Sequence, residues 1–190
     1  MDTITSRNFD QLTGKGKATT THITPLIAGT DRTVPVTVQT RTQLSPEDAF
    51  RIIVPIDLSM IFTGWGPFPG VLGAKNQTGA WDAAGQSRNP ELSDGSTALE
   101  RLTEFTVPHS FAYEITNFTG SMRFLVYGVR GEWMFTPDGT GTLIRWTYEF
   151  KPLRGRLLVL RRVIAPLWRR YMEAGINASR RIAEGEVLGR

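Results

Sequence analysis

Apolar and polar residues alternate where the main body of the chain begins, and valines occupy every second position early in TVPVTVQTRTQL (residues 33–44). This is the period of a β-strand with one buried face. The next residues, SPED, predict the start of a helix, because Ser45 can cap the first turn and Pro46 suits the first helical position. We predict that Pro55 ends this helix and that Asp57 caps a second short helix, LSMIF.

The middle of the chain predicts a meander of antiparallel strands. Its apolar segments are TALERLTEF, FAYEITNF, MRFLVYGVRGEWMF and TLIRWTYEF, and the turn signals SDGS, VPHS, FTGS and PDGTG punctuate this region. In the last segment Ile144 and Phe150 share one face with the aromatic residues between them, which indicates a sheet with one buried face. Strict alternation fails in VYGVRG, so we expect a β-bulge at Gly128 or Gly131.

The pattern becomes helical near the carboxyl terminus. Apolar residues from Leu153 to Ile182 recur along one line of a helix, while most of the arginines point elsewhere. Pro166 cannot donate to the preceding turn, so we predict a kink there. Leu158 and Val159 point away from the apolar line, and we expect the amino-terminal residues or a second subunit to cover them.

Residues 1–32 are rich in threonine and other polar residues, and we expect an extension that is flexible or laid on the surface. Residues 33–186 then form a single domain, which suits a chain of 190 residues. No apolar segment follows a basic start or reaches the roughly 18 residues of a spanning helix, so we expect a cytoplasmic protein. The absence of cysteine excludes disulfides and thiolate chemistry.

The order of elements predicts an α+β architecture of one strand, two small helices, a strand meander and a long helix. The segments GVLGAKNQTGAWDAAGQSR, LSDGSTALERLTEFTVPHSFAYEITNF and RGEWMFTPDGTGTLIRWTYEF resemble bacterial members of the polyketide cyclase/dehydrase-like branch of the START/Bet v 1-like (SRPBCC) superfamily. This resemblance covers about residues 33–185 and implies a helix-grip fold, in which a curved antiparallel sheet of six to seven strands wraps around the carboxy-terminal helix. It also implies a cavity between the sheet and that helix.

The loop GWGPFPGV (residues 64–71) lies where the superfamily has a loop at the mouth of the cavity. Its prolines exclude it from a helix or a central strand, yet Trp65 and Phe68 are too apolar for an ordinary loop. Two interpretations stay open: the two aromatic residues close over an apolar guest as a gate, or they plug the end of the core.

Large aromatic residues on the strands and the helix are the predicted lining of the cavity, since tyrosine and tryptophan combine an apolar body with one polar atom. A single amide, Asn117, shares the strand face of Tyr113 and adds a polar contact. The predicted ligand-binding residues are Trp65, Phe68, Tyr113, Asn117, Tyr127, Trp133, Trp146, Tyr148, Trp168 and Tyr171.

No strong enzymatic motif is present. His22 lies in the amino-terminal extension and His109 at a turn, no cluster has metal-ligand spacing, and no cofactor is predicted. Glu100 and Glu104 share a strand face: facing inward, one is a candidate general base together with Tyr148, and facing outward both are solvated charges. Arg88 is a candidate contact for an acidic ligand group, or an exposed strand residue.

Three functions follow from these observations. The first is binding of a small hydrophobic molecule of lipid, polyketide or aromatic type, and the second is a cofactor-free cyclase or dehydratase reaction in the same cavity. The third is binding to an anionic surface, because residues 151–190 carry ten basic and three acidic residues in a chain of net charge +4. No specific nucleic-acid partner is expected, and a homodimer through Leu158 and Val159 is a further expectation.

Overall fold

The computed structural model describes residues 5–6 and 20–188, with side chains for residues 20–185. The strands are β1 (Thr5–Ser6), β2 (Thr20–His22), β3 (Val34–Thr42), β4 (Val71–Lys75), β5 (Ser87–Leu92), β6 (Leu99–Thr106), β7 (Ser110–Thr116), β8 (Val126–Asp138) and β9 (Gly141–Pro152). The helices are α1 (Pro46–Ile53), α2 (Leu58–Ile61), a 3₁₀ helix (Ser121–Phe124), α3 (Leu157–Val159), a π-helix (Leu160–Ile164) and α4 (Ala165–Leu188). The last three are continuous and form the carboxy-terminal helix.

The sheet confirms the predicted helix-grip fold. Strands β3 to β9 pair antiparallel in the spatial order β4-β5-β6-β7-β8-β9-β3, and β1 and β2 extend the same sheet at the free edge of β6. The sheet curls into a half-barrel whose concave face holds the carboxy-terminal helix, and α1 and α2 pack against that helix. The predicted alternation in β9 is also correct, since Ile144, Trp146, Tyr148 and Phe150 are all buried.

The two short helices begin where the sequence predicts. The hydroxyl of Ser45 accepts a hydrogen bond from Asp48 N at 3.1 Å, and the carboxylate of Asp57 accepts one from Ser59 N at 2.9 Å. The buried face of α1 directs Phe50 into a cluster of edge-on contacts with rings of β6, β7 and β8, at centroid distances of 5.3, 6.4 and 5.2 Å. This cluster fills one end of the space between the sheet and the helices.

The strands depart from regular pairing at several points, and the sequence predicts only some of them. The segment from Met122 was predicted as strand, but Ser121–Phe124 form a 3₁₀ helix and β8 starts only at Val126. The register of β8 against β9 shifts between Val126 and Gly128, which agrees with the predicted bulge at Gly128. A second shift, between Leu102 and Glu104 of β6, was not predicted.

The carboxy-terminal helix accommodates Pro166 through a change of helical type. The π-helix ends at Ile164, just before the proline, whose nitrogen has no hydrogen to donate. No helix in the described part of the chain combines the length and hydropathy needed to cross a membrane.

The amino-terminal residues that follow β2 pack on the convex face of the sheet. Four charged residues of neighbouring strands stand in register there, in the order Arg101, Glu114, Arg130 and Glu149. Glu114 accepts hydrogen bonds from Arg101 and from Leu26 N at 2.6 and 2.7 Å, and is almost completely buried by this packing. The amino-terminal segment is therefore tied to a row of paired charges.

Leu158 and Val159 lie elsewhere, on the carboxy-terminal helix. Their exposed fractions are 68% and 40%. The described residues of the amino-terminal segment contact the convex face instead. The prediction that this segment covers them is therefore wrong for residues 20–32.

Candidate functional site

A cavity of about 250 Å³ lies between the concave face of the sheet and the carboxy-terminal helix. It occupies the end of the interior that the Phe50 cluster leaves open. Its walls come from the ends of α1 and α2, the loop at residues 67–69, the inner faces of β5 to β9, the 3₁₀-helix region and the carboxy-terminal helix. Most of the lining side chains are apolar, as is usual for small-molecule sites.

The loop GWGPFPGV forms a tight two-residue hairpin. Trp65 and Phe68 exchange backbone hydrogen bonds of 3.0 Å each, and Gly66 has a φ of +54°, the conformation that glycine supplies at the first corner of such a turn. The hairpin turns Phe68 inward, 4.8 Å from the ring of Trp168. Tyr171 fixes the loop by donating from its hydroxyl to Pro69 O at 3.0 Å.

Aromatic rings of β7, β8 and β9 form the sheet side of the cavity. The Trp133 and Trp146 rings stack at 4.9 Å, and Tyr148 meets Trp146 edge-on at 6.0 Å. The Trp146 indole Nε1 donates to the Tyr113 hydroxyl at 3.0 Å. Burial raises the pKa of both tyrosines well above the usual value, so that they stay neutral hydrogen-bond donors at physiological pH.

A buried ion pair adds charge to this apolar wall. Arg88 Nε donates to Glu100 Oε2 at 2.6 Å, with side-chain exposures of only 10% and 6%. The guanidinium also lies 3.9 Å from the centre of the Trp81 ring, a cation–π contact. Arg88 and Glu100 both line the cavity, so neither is the exposed strand residue that remained an alternative from the sequence.

Glu104, unlike Glu100, lies outside the cavity wall. The bulge between Leu102 and Glu104 shifts the strand by one residue, which turns Glu104 out of the cavity lining. Its carboxylate instead accepts hydrogen bonds from Thr106 and Ser110. The prediction that Glu100 and Glu104 share one face is therefore wrong.

One polar side-chain atom in the cavity wall is buried and has no hydrogen-bond partner within the described residues. This atom is Trp168 Nε1, and Trp168 lies beside Tyr148, another lining residue. The two rings are neighbours, with centroids 4.9 Å apart. A buried donor without an acceptor costs free energy, so a guest whose acceptor atom meets Trp168 Nε1 gains binding free energy there.

The structure brings seven of the ten predicted ligand-binding residues into the lining of the cavity. They are Phe68, Tyr113, Trp133, Trp146, Tyr148, Trp168 and Tyr171.

Three predicted residues lie outside the cavity for local backbone reasons. Trp65 faces the outer side of its hairpin, where it lines a shallow depression with Ser93 and Asp94. Asn117 follows the end of β7 with a φ of +54° and is exposed. Tyr127 lies in the β8 bulge and is 53% exposed.

The two histidines are also remote from the cavity. His22 lies opposite Glu104 in the strand register at the edge of the sheet, and His109 lies in the turn between β6 and β7. Both are exposed, and neither belongs to the lining.

Sequence reasoning missed several lining residues, including Trp81, Phe62, Phe111 and Met122. Trp81 has a φ of +64° in a loop, and no periodic pattern marks it. The pairing of Arg88 with Glu100 did have a signal, because the two residues lie at equal distances from Asp94 in the turn SDGS. A hairpin centred there places them opposite each other, as the structure does.

The chain belongs to the polyketide cyclase / dehydrase and lipid transport family, whose sequence profile matches residues 33–184. The predicted START/Bet v 1-like resemblance is thereby confirmed. A comparison with curated proteins found no match.

Several solved structures share the fold. Norcoclaurine synthase from Thalictrum flavum has a TM-score of 0.61 at 13% identity, over 96% of this chain and 100% of that one. For Ara h 8.0201 the TM-score is 0.55 at 15% identity, over 84% and 100% of the two chains. XoxI from Bacillus cereus has a TM-score of 0.56 at 18% identity, over 78% of this chain and 94% of that one. At these identities the similarity shows the fold alone.

Proposed function

We propose that the protein binds a small, neutral and largely apolar molecule of lipid, polyketide or aromatic type in the cavity between the sheet and the carboxy-terminal helix. The observation that carries this proposal is an apolar cavity in which a buried donor, Trp168 Nε1, lacks an acceptor. Its volume of about 250 Å³ suits a compact molecule of a few rings or a short chain.

The lining also supports a particular chemistry for the guest. The unpaired donor Trp168 Nε1, next to the ring of Tyr148, favours a guest with an acceptor such as a carbonyl or ether oxygen. The charge of Arg88 is already compensated by Glu100 and by the Trp81 ring, so a strongly anionic group has no free cation to meet there. A neutral molecule with a carbonyl group is therefore the best match.

Fluorenone and fluorene test this proposal, because they have nearly the same shape and only fluorenone carries a carbonyl acceptor. We expect fluorenone to bind the wild-type protein about 10-fold more tightly, the value of roughly one good hydrogen bond. The preference should disappear in the double variant Tyr148→Phe/Trp168→Phe, which keeps the apolar walls. Quenching of tryptophan fluorescence measures both affinities.

A cavity-filling variant identifies where the molecules bind. Ala98 is buried and lines the cavity, so Ala98→Phe should weaken both ligands by at least about 10-fold. Ala74→Phe is the matched control, since residue 74 is exposed on β4 and lies outside the lining. Equal binding by Ala98→Phe and wild type would refute binding in this cavity.

A cyclase or dehydratase reaction in the same cavity is the second candidate. It is favoured by one carboxylate, Glu100, which lies in an apolar wall close enough to raise the pKa of Tyr113 further. Such a reaction requires positioning and one proton-transferring group rather than a cofactor. With a polyketide-type substrate, turnover should fall severely in Glu100→Gln while thermal unfolding still shows a folded protein; unchanged turnover would remove Glu100 from the chemistry.

A further inference from the structure

The first half of the carboxy-terminal helix carries an exposed surface that is both apolar and basic. Leu158, Val159 and Val163 are 68%, 40% and 51% exposed. Five exposed arginines surround them in sequence and form no ion pair within the described residues: Arg154, Arg156, Arg161, Arg162 and Arg170. These eight residues are called the basic apolar patch below.

The patch is a concentration of basic residues without paired acids. Several exposed basic residues elsewhere pair with carboxylates, as in Arg41 with Asp138 at 2.5 Å and Lys75 with Glu91 at 2.6 Å. Between residues 151 and 172 the sequence has seven basic and no acidic residues. Uncompensated positive charge of this density attracts a polyanionic partner.

The patch also borders the cavity. Ile164 and Trp168 of the same helix line the cavity, as do Met122 and Leu125 of the neighbouring 3₁₀-helix region. Leu153 N donates to Leu125 O at 3.0 Å, which ties that region to the segment before the helix. Phe124 lies there and is 58% exposed, so a further apolar side chain is available at this end of the molecule.

We propose that the basic apolar patch docks on the surface of an anionic lipid bilayer. Exposed Leu158, Val159 and Val163 can enter the acyl boundary while the arginines contact lipid phosphates, which is the pattern of an interfacial helix. Docking in this orientation brings the cavity wall formed by the 3₁₀-helix region next to the membrane. The proposal does not depend on the identity of the cavity ligand.

Two other partners explain only part of the patch. A nucleic acid offers phosphates to the arginines but little to three exposed aliphatic side chains. A second copy of the chain, joined by two-fold symmetry, can cover the aliphatic residues but brings arginines of like charge together. A lipid bilayer matches both components at once.

Flotation with lipid vesicles tests the proposal on the full chain. We expect binding to phosphatidylcholine vesicles that contain about 30 mol % phosphatidylserine, and partition at least about 10-fold weaker without the anionic lipid. Arg161→Gln/Arg162→Gln should weaken binding roughly 25-fold, because each arginine near an anionic surface contributes about 5-fold. Leu158→Ser/Val163→Ser should weaken it by about 10-fold or more through lost apolar burial.

Matched controls use residues of the same kind outside the patch. Leu72→Ser removes an apolar side chain that is 69% exposed on β4, and Arg41→Gln removes an exposed arginine that is paired with Asp138. Both should bind vesicles as wild type does, and thermal unfolding should show that all variants are folded. Three results would each overturn the proposal: no binding to anionic vesicles, unchanged binding by Leu158→Ser/Val163→Ser, or a wild-type dimer that this variant converts to a monomer.

Discussion

Replacing Glu100 by alanine is expected to lower the free energy of unfolding by about 3–5 kcal/mol, because the change leaves the Arg88 charge buried without its carboxylate. Both side chains of the pair are at least nine-tenths buried, so little water can replace the missing oxygen. The cation–π contact with Trp81 keeps the guanidinium in place rather than releasing it to solvent. Urea denaturation followed by tryptophan fluorescence measures the loss.

Two further variants distinguish the buried charge from the lost packing. Glu91→Ala removes a partner from an exposed ion pair with Lys75 and should cost less than about 1 kcal/mol. The double variant Arg88→Met/Glu100→Leu removes both charges and should recover most of the stability, since well-packed apolar residues replace buried ion pairs at little cost. A loss below about 1 kcal/mol for Glu100→Ala would mean that water in the cavity already solvates the pair.

The regular elements of this protein follow from short-range features of its sequence. Ser45 and Asp57 cap the two short helices through their own side chains, so the prediction needs only adjacent residues. The two-residue period in β9 places four large side chains on the concave face for the same reason. Local rules of this kind suffice for element order and for the large aromatic residues that β8 and β9 contribute to the cavity lining.

The predictions failed where the backbone leaves its regular period. A bulge turns Tyr127 out of the sheet, a left-handed residue ends β7 at Asn117, and a second bulge separates Glu104 from Glu100. A bulge breaks the alternation, so that the side chains before it and after it no longer follow one continuous two-residue period. A strand pattern read across such a point assigns the wrong face.

Other features depend on contacts between distant parts of the chain. Trp81 meets Arg88 only because its loop folds back over β5, and its position has no periodic signal. The cavity itself is the volume that the Phe50 cluster and the carboxy-terminal helix leave unfilled. An unfilled volume is a property of the packed whole, so a single sequence can imply it only through resemblance to a family.

The second large effect is expected at Gly131, which lies beneath the ring of Tyr113. A Cβ atom at residue 131 would come within 2.2 Å of Tyr113 Cζ and 2.5 Å of its hydroxyl oxygen. Gly131→Ala should therefore push the ring into the cavity and break the hydrogen bond from Trp146 Nε1. Overpacking and an unpaired indole together should cost about 3 kcal/mol of unfolding free energy, and fluorenone should bind more weakly because the ring occupies its space.

Gly73→Ala is the matched control, since Gly73 lies in β4 and a Cβ there meets nothing within 4 Å. The free energy of unfolding of this variant should stay within about 1 kcal/mol of the wild-type value. A change of that size is what replacing a strand glycine by alanine produces without a clash. A double-mutant cycle then isolates the contact: in a Tyr113→Ala background the ring is absent, so Gly131→Ala should cost much less than in wild type. If Gly131→Ala lowers the free energy of unfolding equally in both backgrounds, the effect comes from the backbone at residue 131. The position of the Tyr113 ring in the cavity wall would then not depend on Gly131.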